Sequence, residues 1–251
     1  MDLGLLAICF ALFVVATLYA SVGHGGASGY LAILSLSAYG AMEAAWLKQH
    51  AWCLNLVVAA IAFWHFYRAG HHVPKLTIPF IVASVPLAMF AGSLKVEGSV
   101  YDLLLSICLV LAAWRLYTVG TEEGDIQGVP QWNVAVPTGG AIGFASGVVG
   151  IGGGVLLSPI LLLKRWATPK SAAATAAIFV WVNSLASLSG AALSNQLVLE
   201  FETLLPFFFA VIIGGFIGSR FGADVASQHV IRKLLIIVLI VAAMKRVVGL
   251  F

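Results

Sequence analysis

The chain has 251 residues and a net charge of +3; 61% of its residues are hydrophobic and only 9% are charged. Because about a quarter of the residues of a soluble domain are charged, this composition excludes a water-soluble globule, a nucleic-acid binder and a disordered tail. We therefore expect a polytopic helical protein whose partners include the lipid bilayer and no nucleic acid.

Long uncharged stretches predict membrane-spanning helices, since a helix needs about 20 apolar residues to cross the hydrocarbon core. The stretches at 3–42 and 126–163 carry no charged residue, are too long for one crossing, and are each interrupted by a cluster of glycines. We predict that each folds as a glycine-broken hairpin, with segments 3–21 and 27–38 in the first and 132–148 and 154–165 in the second. Three single spans follow each hairpin: 43–66, 76–94 and 100–117, then 171–193, 203–220 and 229–248. The N-terminus lacks the basic region of a cleavable signal peptide, so we expect the first segment to remain in the mature protein.

The sequence contains one repeat used twice. Four matches occur in order at offsets between 127 and 130: Gly23–Gly26 with Gly150–Gly153, Asn55 with Asn183, Pro79-Phe80 with Pro206-Phe207, and 110–115 with 240–245. The predicted organisation is a first membrane repeat at 1–118, a linker at 119–130 and a second membrane repeat at 131–251. Five segments per half is an odd number, so we predict an all-α protein of two repeats inverted across the membrane.

The distribution of cationic residues tests this topology through the positive-inside rule. It places nine cations in the cytoplasm (Arg68, Lys75, Arg115, Lys164, Arg165, Lys170, Arg220, Arg232 and Lys233) and four outside (Lys48, Lys95, Lys245 and Arg246). The alternative, eight spans in parallel repeats, gives a split of eight to five. Segment length, more than charge, favours the inverted version.

The glycine clusters at the two hairpin bends are the strongest local feature. Neither is followed by the Gly-Lys-Ser/Thr of a P-loop, and neither follows a strand of a βαβ unit as a dinucleotide fingerprint does. Glycine suits turns and close helix packing, but helices broken at matching positions in two halves are also typical of a transporter's substrate site. In that second interpretation the free N–H groups of the helix N-termini bind an anion. The glycines concerned are Gly23, Gly25, Gly26, Gly150, Gly152, Gly153 and Gly154. Glycines spaced every fourth residue we assign wholly to packing: Gly139, Gly143, Gly147, Gly214, Gly218 and Gly222.

Polar residues in the helix after each hairpin are the next candidates. Lys48, Trp52 and Asn55 share one helical face, and Asn183 lies on the equivalent face of the second copy. An amide in a membrane helix is costly unless it is paired or faces a polar cavity, so each asparagine is either helix–helix glue or a substrate contact. Lys48 either snorkels to the interface or supplies a counter-charge. His24, inside the first glycine loop, is either part of the loop structure or a titrating group at the site.

One motif points to an enzyme instead. Gly26-Ala27-Ser28-Gly29 matches the GxSG around the nucleophile of rhomboid-type intramembrane proteases, which also need a histidine on another span. Only His50 and His65 lie deep enough, both on the next predicted helix, and the second repeat has no serine at the matching position. We therefore predict a protein that is not an enzyme and has no catalytic residue, with a protease using Ser28 as a minor alternative. The three cysteines (Cys9, Cys53 and Cys108) lie in apolar runs without CxxC spacing, so we expect no metal site and no cofactor.

With the repeat and its glycine loops described, the chain resembles the sulfite exporter TauE/SafE family of bacterial membrane proteins. The resemblance is carried by the run Ala145–Gly154, then Pro159, Pro169–Ala174 and Gly218-Ser219-Arg220, with Ser21–Gly29 as a weaker first copy. It implies export of a small anionic substrate, sulfite or an organosulfonate such as sulfoacetate, across the bacterial inner membrane. A transporter of another small solute, such as thiosulfate or a carboxylate, would have the same composition, and the sequence is compatible with a homo-oligomer.

Overall fold

The computed structural model describes residues 3–95 and 128–227, together with the isolated residues 230 and 233. The predicted spans 100–117 and 229–248 lie outside the described residues, as do most of the linker, Cys108 and the match of 110–115 with 240–245. The fifth segment of each predicted half therefore has no structural description.

Every regular element in the described residues is helical. The helices are α1 (Leu3–Ser21), α2 (Ala27–Ser35), α3 (Ala44–Arg68), α4 (Pro74–Gly92), α5 (Trp132–Val149), α6 (Gly154–Leu163), α7 (Pro169–Leu193) and α8 (Phe201–Arg220). A 3₁₀ turn, Ala38–Ala41, precedes α3, and a π-helical turn, Phe221–Val225, extends α8. Each bound lies within three residues of the predicted one. Proline at the first position starts α4 and α7, where its missing N–H costs nothing.

Five of these helices are long and apolar enough to cross a membrane: Leu3–Ser21, Ala44–Arg68, Pro74–Gly92, Pro169–Leu193 and Phe201–Val225. Helices α2 and α6, in contrast, have 9 and 10 residues and rise only about 15 Å, half of the hydrocarbon thickness. Helix α2 folds back along α1: Ser28 Oγ donates to Tyr19 Oη at 2.9 Å, and Gly29 lies against Val15, one turn earlier on α1. The structure is thus a multi-pass helical bundle that contains two half-length helices.

The long helices run in two opposite directions. Helix α3 is antiparallel to α7, since Gln49 near its start donates to the backbone oxygen of Gln196 beyond the end of α7 (2.7 Å), while Phe66 near its end packs with Ala173. Successive contacts make α1 and α8 parallel to α3, and α4 and α5 parallel to α7. Helix α1 contacts α8 and its extension at Phe13–Gly214 and Ser21–Gly222, and α8 contacts α3 at Val58–Gly215 and His65–Ser219. Helix α4 contacts α7 at Thr77–Thr175 and Ala88–Ser187, and it contacts α5 at Phe80–Gly139 and Ala88–Gly147. The first helix of each half therefore packs against the fourth helix of the other half.

Glycines spaced every fourth residue make these helix contacts close. On α5, Gly139, Gly143 and Gly147 lie against the backbone of α4 at Phe80, Ser84 and Ala88; on α8 and its extension, Gly214, Gly218 and Gly222 lie against α1 at Phe13, Thr17 and Ser21. A Cβ atom at any of the six positions would approach a backbone oxygen to 2.7 Å or less. The predicted packing role of these glycines is confirmed, and it follows the general rule that small residues allow membrane helices to approach closely.

Replacing Gly143 by valine is expected to prevent α4 and α5 from docking. Its Cβ position lies 2.4 Å from the backbone oxygen of Ser84, and neither backbone can move without disturbing the contacts one turn away. We expect a loss of about 3 kcal/mol or more, measured as a lower unfolding temperature and a smaller monodisperse fraction in detergent. The matched control is Ala141→Val on the exposed face of the same helix. Equal stability of the two variants would contradict the packing assignment.

The two ends of the bundle differ in charge. The end where α3 and α8 finish and α4, α5 and α7 begin, here called the basic end, carries six cations and one carboxylate: Arg68, Lys75, Lys164, Arg165, Lys170 and Arg220 with Asp224. The opposite, acidic end carries two cations and three carboxylates: Lys48 and Lys95 with Glu43, Glu200 and Glu202. These are all the charged residues of the ranges 3–95 and 128–227.

Candidate functional site

The two glycine loops meet in the middle of the bundle, where each starts a half-length helix. Gly26 before α2 and Gly153 before α6 have φ angles of +101° and +84°. This left-handed conformation is open to glycine and rare for residues with a side chain. Two helix N-termini, whose first N–H groups have no acceptor within the helix, are thereby placed inside the protein and not at its surface.

Asn55 lies between the two loops. A Cβ atom at Gly25 would lie 2.3 Å from Asn55 Oδ1, and one at Gly152 would lie 2.6 Å from Asn55 Nδ2, so the loops close on the amide only because both residues are glycine. Asn55 is fully buried, and both ends of its amide are used. Its Oδ1 accepts from Ala27 N at 3.0 Å, which caps α2, and its Nδ2 donates to Ser184 Oγ at 3.3 Å. In this structure Asn55 holds the loops in place.

Asn183 has a different environment, although it is equally buried. Its Oδ1 accepts from Ser84 Oγ, whereas its Nδ2 has no hydrogen-bond partner among the described residues. A buried amide donor without a partner is uncommon and costly. A ligand oxygen bound at this point would satisfy it.

The structural counterpart of Asn55 is Val180 and not Asn183. Helices α3 and α7 both have 25 residues, and Asn55 and Val180 are the twelfth residue of each. The Cβ positions of Gly25 and Gly152 approach Val180 Cγ1 to 3.0 Å and 2.9 Å, so Val180 touches the same two loops as Asn55. The alignment of the two asparagines by sequence is therefore displaced by three residues, almost one helical turn. On the α7 side the polar group next to the loops is Ser184, which accepts from Asn55 Nδ2.

His24 links the first loop to the second half-helix. Its Nε2 lies 2.9 Å from Ser158 Oγ on α6, and its ring lies against Gly154, whose Cβ position is 2.9 Å from His24 Cδ2. The residue is 1% exposed, and its Nδ1 has no hydrogen-bond partner in the described part of the chain. Of the two sequence interpretations of His24, the loop contact is present in the structure, and the unused Nδ1 leaves room for a role at the site.

Lys48 and Trp52 lie between this meeting point and the acidic end. Trp52 is 1% exposed, and its Nε1 is a further donor without a partner among the described atoms. Lys48 is 4% exposed, and its Cγ lies 2.8 Å from the Cβ position of Gly150. A polar cleft of 190 Å³ reaches both side chains; it is lined by Glu43, Ala45, Lys48, Gln49, Trp52, Gly92, Leu94, Lys95, Asn195, Gln196 and Val198. This cleft leads from the acidic end toward the glycine loops.

The other predicted site glycines pack against protein and not around the meeting point. The Cβ position of Gly23 approaches the backbone oxygen of Ala173, that of Gly26 approaches the Tyr30 ring, and that of Gly153 approaches the Phe179 ring. The structure thus gathers His24, Gly25, Asn55, Gly152 and Gly154 into one cluster, with Lys48 and Gly150 beside it.

The serines were not predicted from the sequence, and Trp52 was predicted only to share the helical face of Lys48 and Asn55. The serines that bind the predicted site residues are Ser84, Ser158 and Ser184. No spacing pattern identifies a single serine in an apolar helix as a site residue. Many such serines only donate to a backbone oxygen of their own helix. Trp52 shares a face with Lys48 and Asn55, which was a usable signal.

Ser28, the serine of the GxSG sequence, is 2% exposed and donates to Tyr19 Oη. Its described partner is a tyrosine, and the nearby histidine of the loop pairs with Ser158 instead. Within the described ranges no group of three or more His, Cys, Asp or Glu residues is placed to hold a metal ion.

Comparison with known proteins matches the chain along nearly its whole length. The family model described as sulfite exporter TauE/SafE matches residues 8–246. A probable membrane transporter protein, y4hK, of Sinorhizobium fredii is 35% identical over 250 residues, which cover 98% of this chain and 99% of that protein. A probable membrane transporter protein of Xylella fastidiosa is 34% identical over 99 residues, covering 39% of this chain and 37% of that protein. No solved structure gives a significant match.

Proposed function

The chain belongs to the sulfite exporter TauE/SafE family of membrane transporters, and on this premise we propose that it exports small sulfur-containing anions, sulfite or an organosulfonate such as sulfoacetate. The observation that carries the proposal is the set of buried donors without partners near the meeting point of the two half-length helices. They are Asn183 Nδ2 and Trp52 Nε1, which lack partners among the described residues. His24 Nδ1 lacks a partner there too, and it is a donor in the tautomer in which Nε2 accepts from Ser158 Oγ.

The chemistry of these groups favours an anion over a cation. Two helix N-termini point into the centre and carry partial positive charge. All four carboxylates of the described residues (Glu43, Glu200, Glu202 and Asp224) lie at the ends of the bundle, so the centre offers donors and no negative ligand for a metal ion. Lys48, buried beside Gly150, adds a cationic side chain on the way to the acidic end.

The opposite directions of matching helices support an inverted repeat and alternating access. Helix α1 is parallel to α3 and α8, whereas its counterpart α5 is parallel to α4 and α7. Half-helix α2 leaves the centre toward the acidic end, and α6 leaves it toward the basic end. In this proposal the two halves rock about the glycine loops and expose the anion first to one side and then to the other.

The charge of the two ends supports an orientation in the bacterial inner membrane. The basic end, with six cations and one carboxylate, faces the cytoplasm by the positive-inside rule. An interior-negative potential then favours exit of an anion by about 2.3 kcal/mol per charge per 100 mV. Export in this direction is driven by the potential without an obligatory coupling ion.

A ligand-induced shift of the unfolding temperature tests the proposal on the purified protein. Sulfite and sulfoacetate are expected to raise it in a saturable way, since a ligand at 100 times its dissociation constant adds about 2.7 kcal/mol to the free energy of unfolding. Chloride at equal ionic strength is the control, and thiosulfate and acetate test the alternative substrates. Stabilisation by acetate alone or by thiosulfate alone would replace sulfite and sulfoacetate by that solute as the proposed substrate. The absence of any anion-dependent shift would contradict an anion site.

A further inference from the structure

A second cleft lies at the basic end, far from the glycine loops. It has a volume of 330 Å³ and opens between the last turns of α3 and α8. Arg68 lies 13 residues beyond Asn55 on α3, so the cleft is about 20 Å from the meeting point of the loops. The features below are not used by the proposed transport function.

The floor of the cleft is joined by hydrogen bonds and ring contacts. Ser219 Oγ donates to the backbone oxygen of Gly215 at 2.6 Å, so it accepts from His65 Nδ1, which lies 2.7 Å away. The His65 ring makes edge contacts with Trp64 and Phe216, with centroids 4.7 Å and 4.8 Å apart. These contacts fix the two aromatic walls relative to each other.

The aromatic walls of the cleft are partly exposed. Trp64 and Phe216, its walls, are 47% and 44% exposed, although both belong to membrane-spanning helices. Exposed aromatic side chains close to a helix end are typical of the membrane–water interface. The apolar walls therefore border acyl chains, while the polar mouth lies at the depth of lipid headgroups.

Two arginines stand at the mouth. Arg68 lies over the Trp64 ring at 5.1 Å, a cation–π contact that holds its guanidinium beside the cleft. Arg220, from the last turn of α8, lines the cleft from the other side. Asp224, carried on the π-helical turn, is the one carboxylate among the described lining residues, so these arginines leave a net positive mouth.

We propose that this cleft binds the phosphate of an anionic phospholipid of the leaflet at the basic end, between Arg68 and Arg220, with the acyl chains along Trp64 and Phe216. Arginine pairs bind phosphate through several parallel hydrogen bonds. A soluble anion would gain nothing from the exposed aromatic walls, whereas a lipid uses both parts of the cleft. Basic pockets between membrane helices have this kind of ligand as a general rule.

Native mass spectrometry of the purified protein titrated with phosphatidylglycerol tests the proposal. Wild type is expected to bind one phosphatidylglycerol in preference to phosphatidylcholine. The double variant Arg68→Gln, Arg220→Gln is expected to bind it about 30-fold more weakly, since each cation near a lipid surface contributes about fivefold to tenfold. Lys75→Gln, Lys164→Gln is the matched control, because these two exposed lysines lie at the same end but outside the cleft.

A gain of affinity provides a test that misfolding cannot imitate. Asp224→Asn removes the carboxylate of the cleft, and we expect it to tighten phosphatidylglycerol binding about fivefold. Equal binding by wild type, the arginine variant and Asp224→Asn would overturn the proposal. Displacement of the lipid by millimolar inorganic phosphate would assign the cleft to a soluble anion and overturn it as well.

Discussion

Replacing Gly152 by alanine is expected to abolish transport and to lower the unfolding temperature far more than replacing Gly70 by alanine. Both glycines have nearly the same left-handed backbone, with φ angles of +73° and +76°. A Cβ atom in that conformation costs about 1–2 kcal/mol at either position. At Gly152 it also meets Asn55 Nδ2 at 2.6 Å and Val180 Cγ1 at 2.9 Å, whereas at Gly70 nothing lies within 4 Å.

The additional cost at Gly152 comes from displacing Asn55. Overpacking of a closed site costs about 1–3 kcal/mol, and a displaced Asn55 leaves Ala27 N without its acceptor at the start of α2. The measurement is thermal unfolding of both variants in the same detergent, with anion flux in proteoliposomes. Equal losses in the two variants would mean that the loops do not close on the amide.

The replacement Asn183→Leu is expected to weaken anion binding without destabilising the protein. Leucine has nearly the shape of asparagine but no donor, and Asn183 Nδ2 has no partner to lose among the described residues. The Ser84 hydroxyl loses its acceptor but can bond to its own helix backbone. Losing one hydrogen bond to a charged ligand costs about 1.5–3 kcal/mol, which corresponds to roughly 10- to 100-fold in affinity.

Asn55→Leu is the matched control, with the opposite expected signature. Both ends of that amide are bonded, to Ala27 N and Ser184 Oγ, so its replacement should lower the unfolding temperature. Titration of the sulfite-induced thermal shift in both variants separates the two roles. Wild-type affinity in Asn183→Leu would remove this residue from the substrate site.

The fold could be predicted where single residue types fix the backbone. Pro74 and Pro169 begin helices because proline has no N–H to donate to an earlier turn, and the first residues of a helix need none. The glycine loops end one helix and begin the next because Gly26 and Gly153 adopt conformations that other residues avoid. The spacing of Gly139, Gly143 and Gly147 likewise predicts a close helix contact, although it does not identify the partner helix.

The site could be predicted only in part, because its partners come from distant segments. Asn55 and Asn183 look alike in sequence, and only the structure shows that one is fully hydrogen-bonded while the other has a donor to spare. The two asparagines lie at different positions along α3 and α7, counted from the first residue of each helix. An alignment by residue type does not show where those helices begin. The cleft at the basic end depends on a π-helical turn after α8, for which the sequence has no clear signal.

The central claim is that a small oxyanion crosses this protein by way of the donors around the glycine loops. Its most direct test is efflux of isotopically labelled sulfite from proteoliposomes with an imposed inside-negative potential, with empty vesicles as background. We predict saturable efflux for wild type and Gly70→Ala, and efflux reduced at least tenfold for Asn183→Leu at subsaturating sulfite. Wild-type efflux in Asn183→Leu, or no efflux of sulfite or sulfoacetate above empty vesicles in wild type, would contradict the claim.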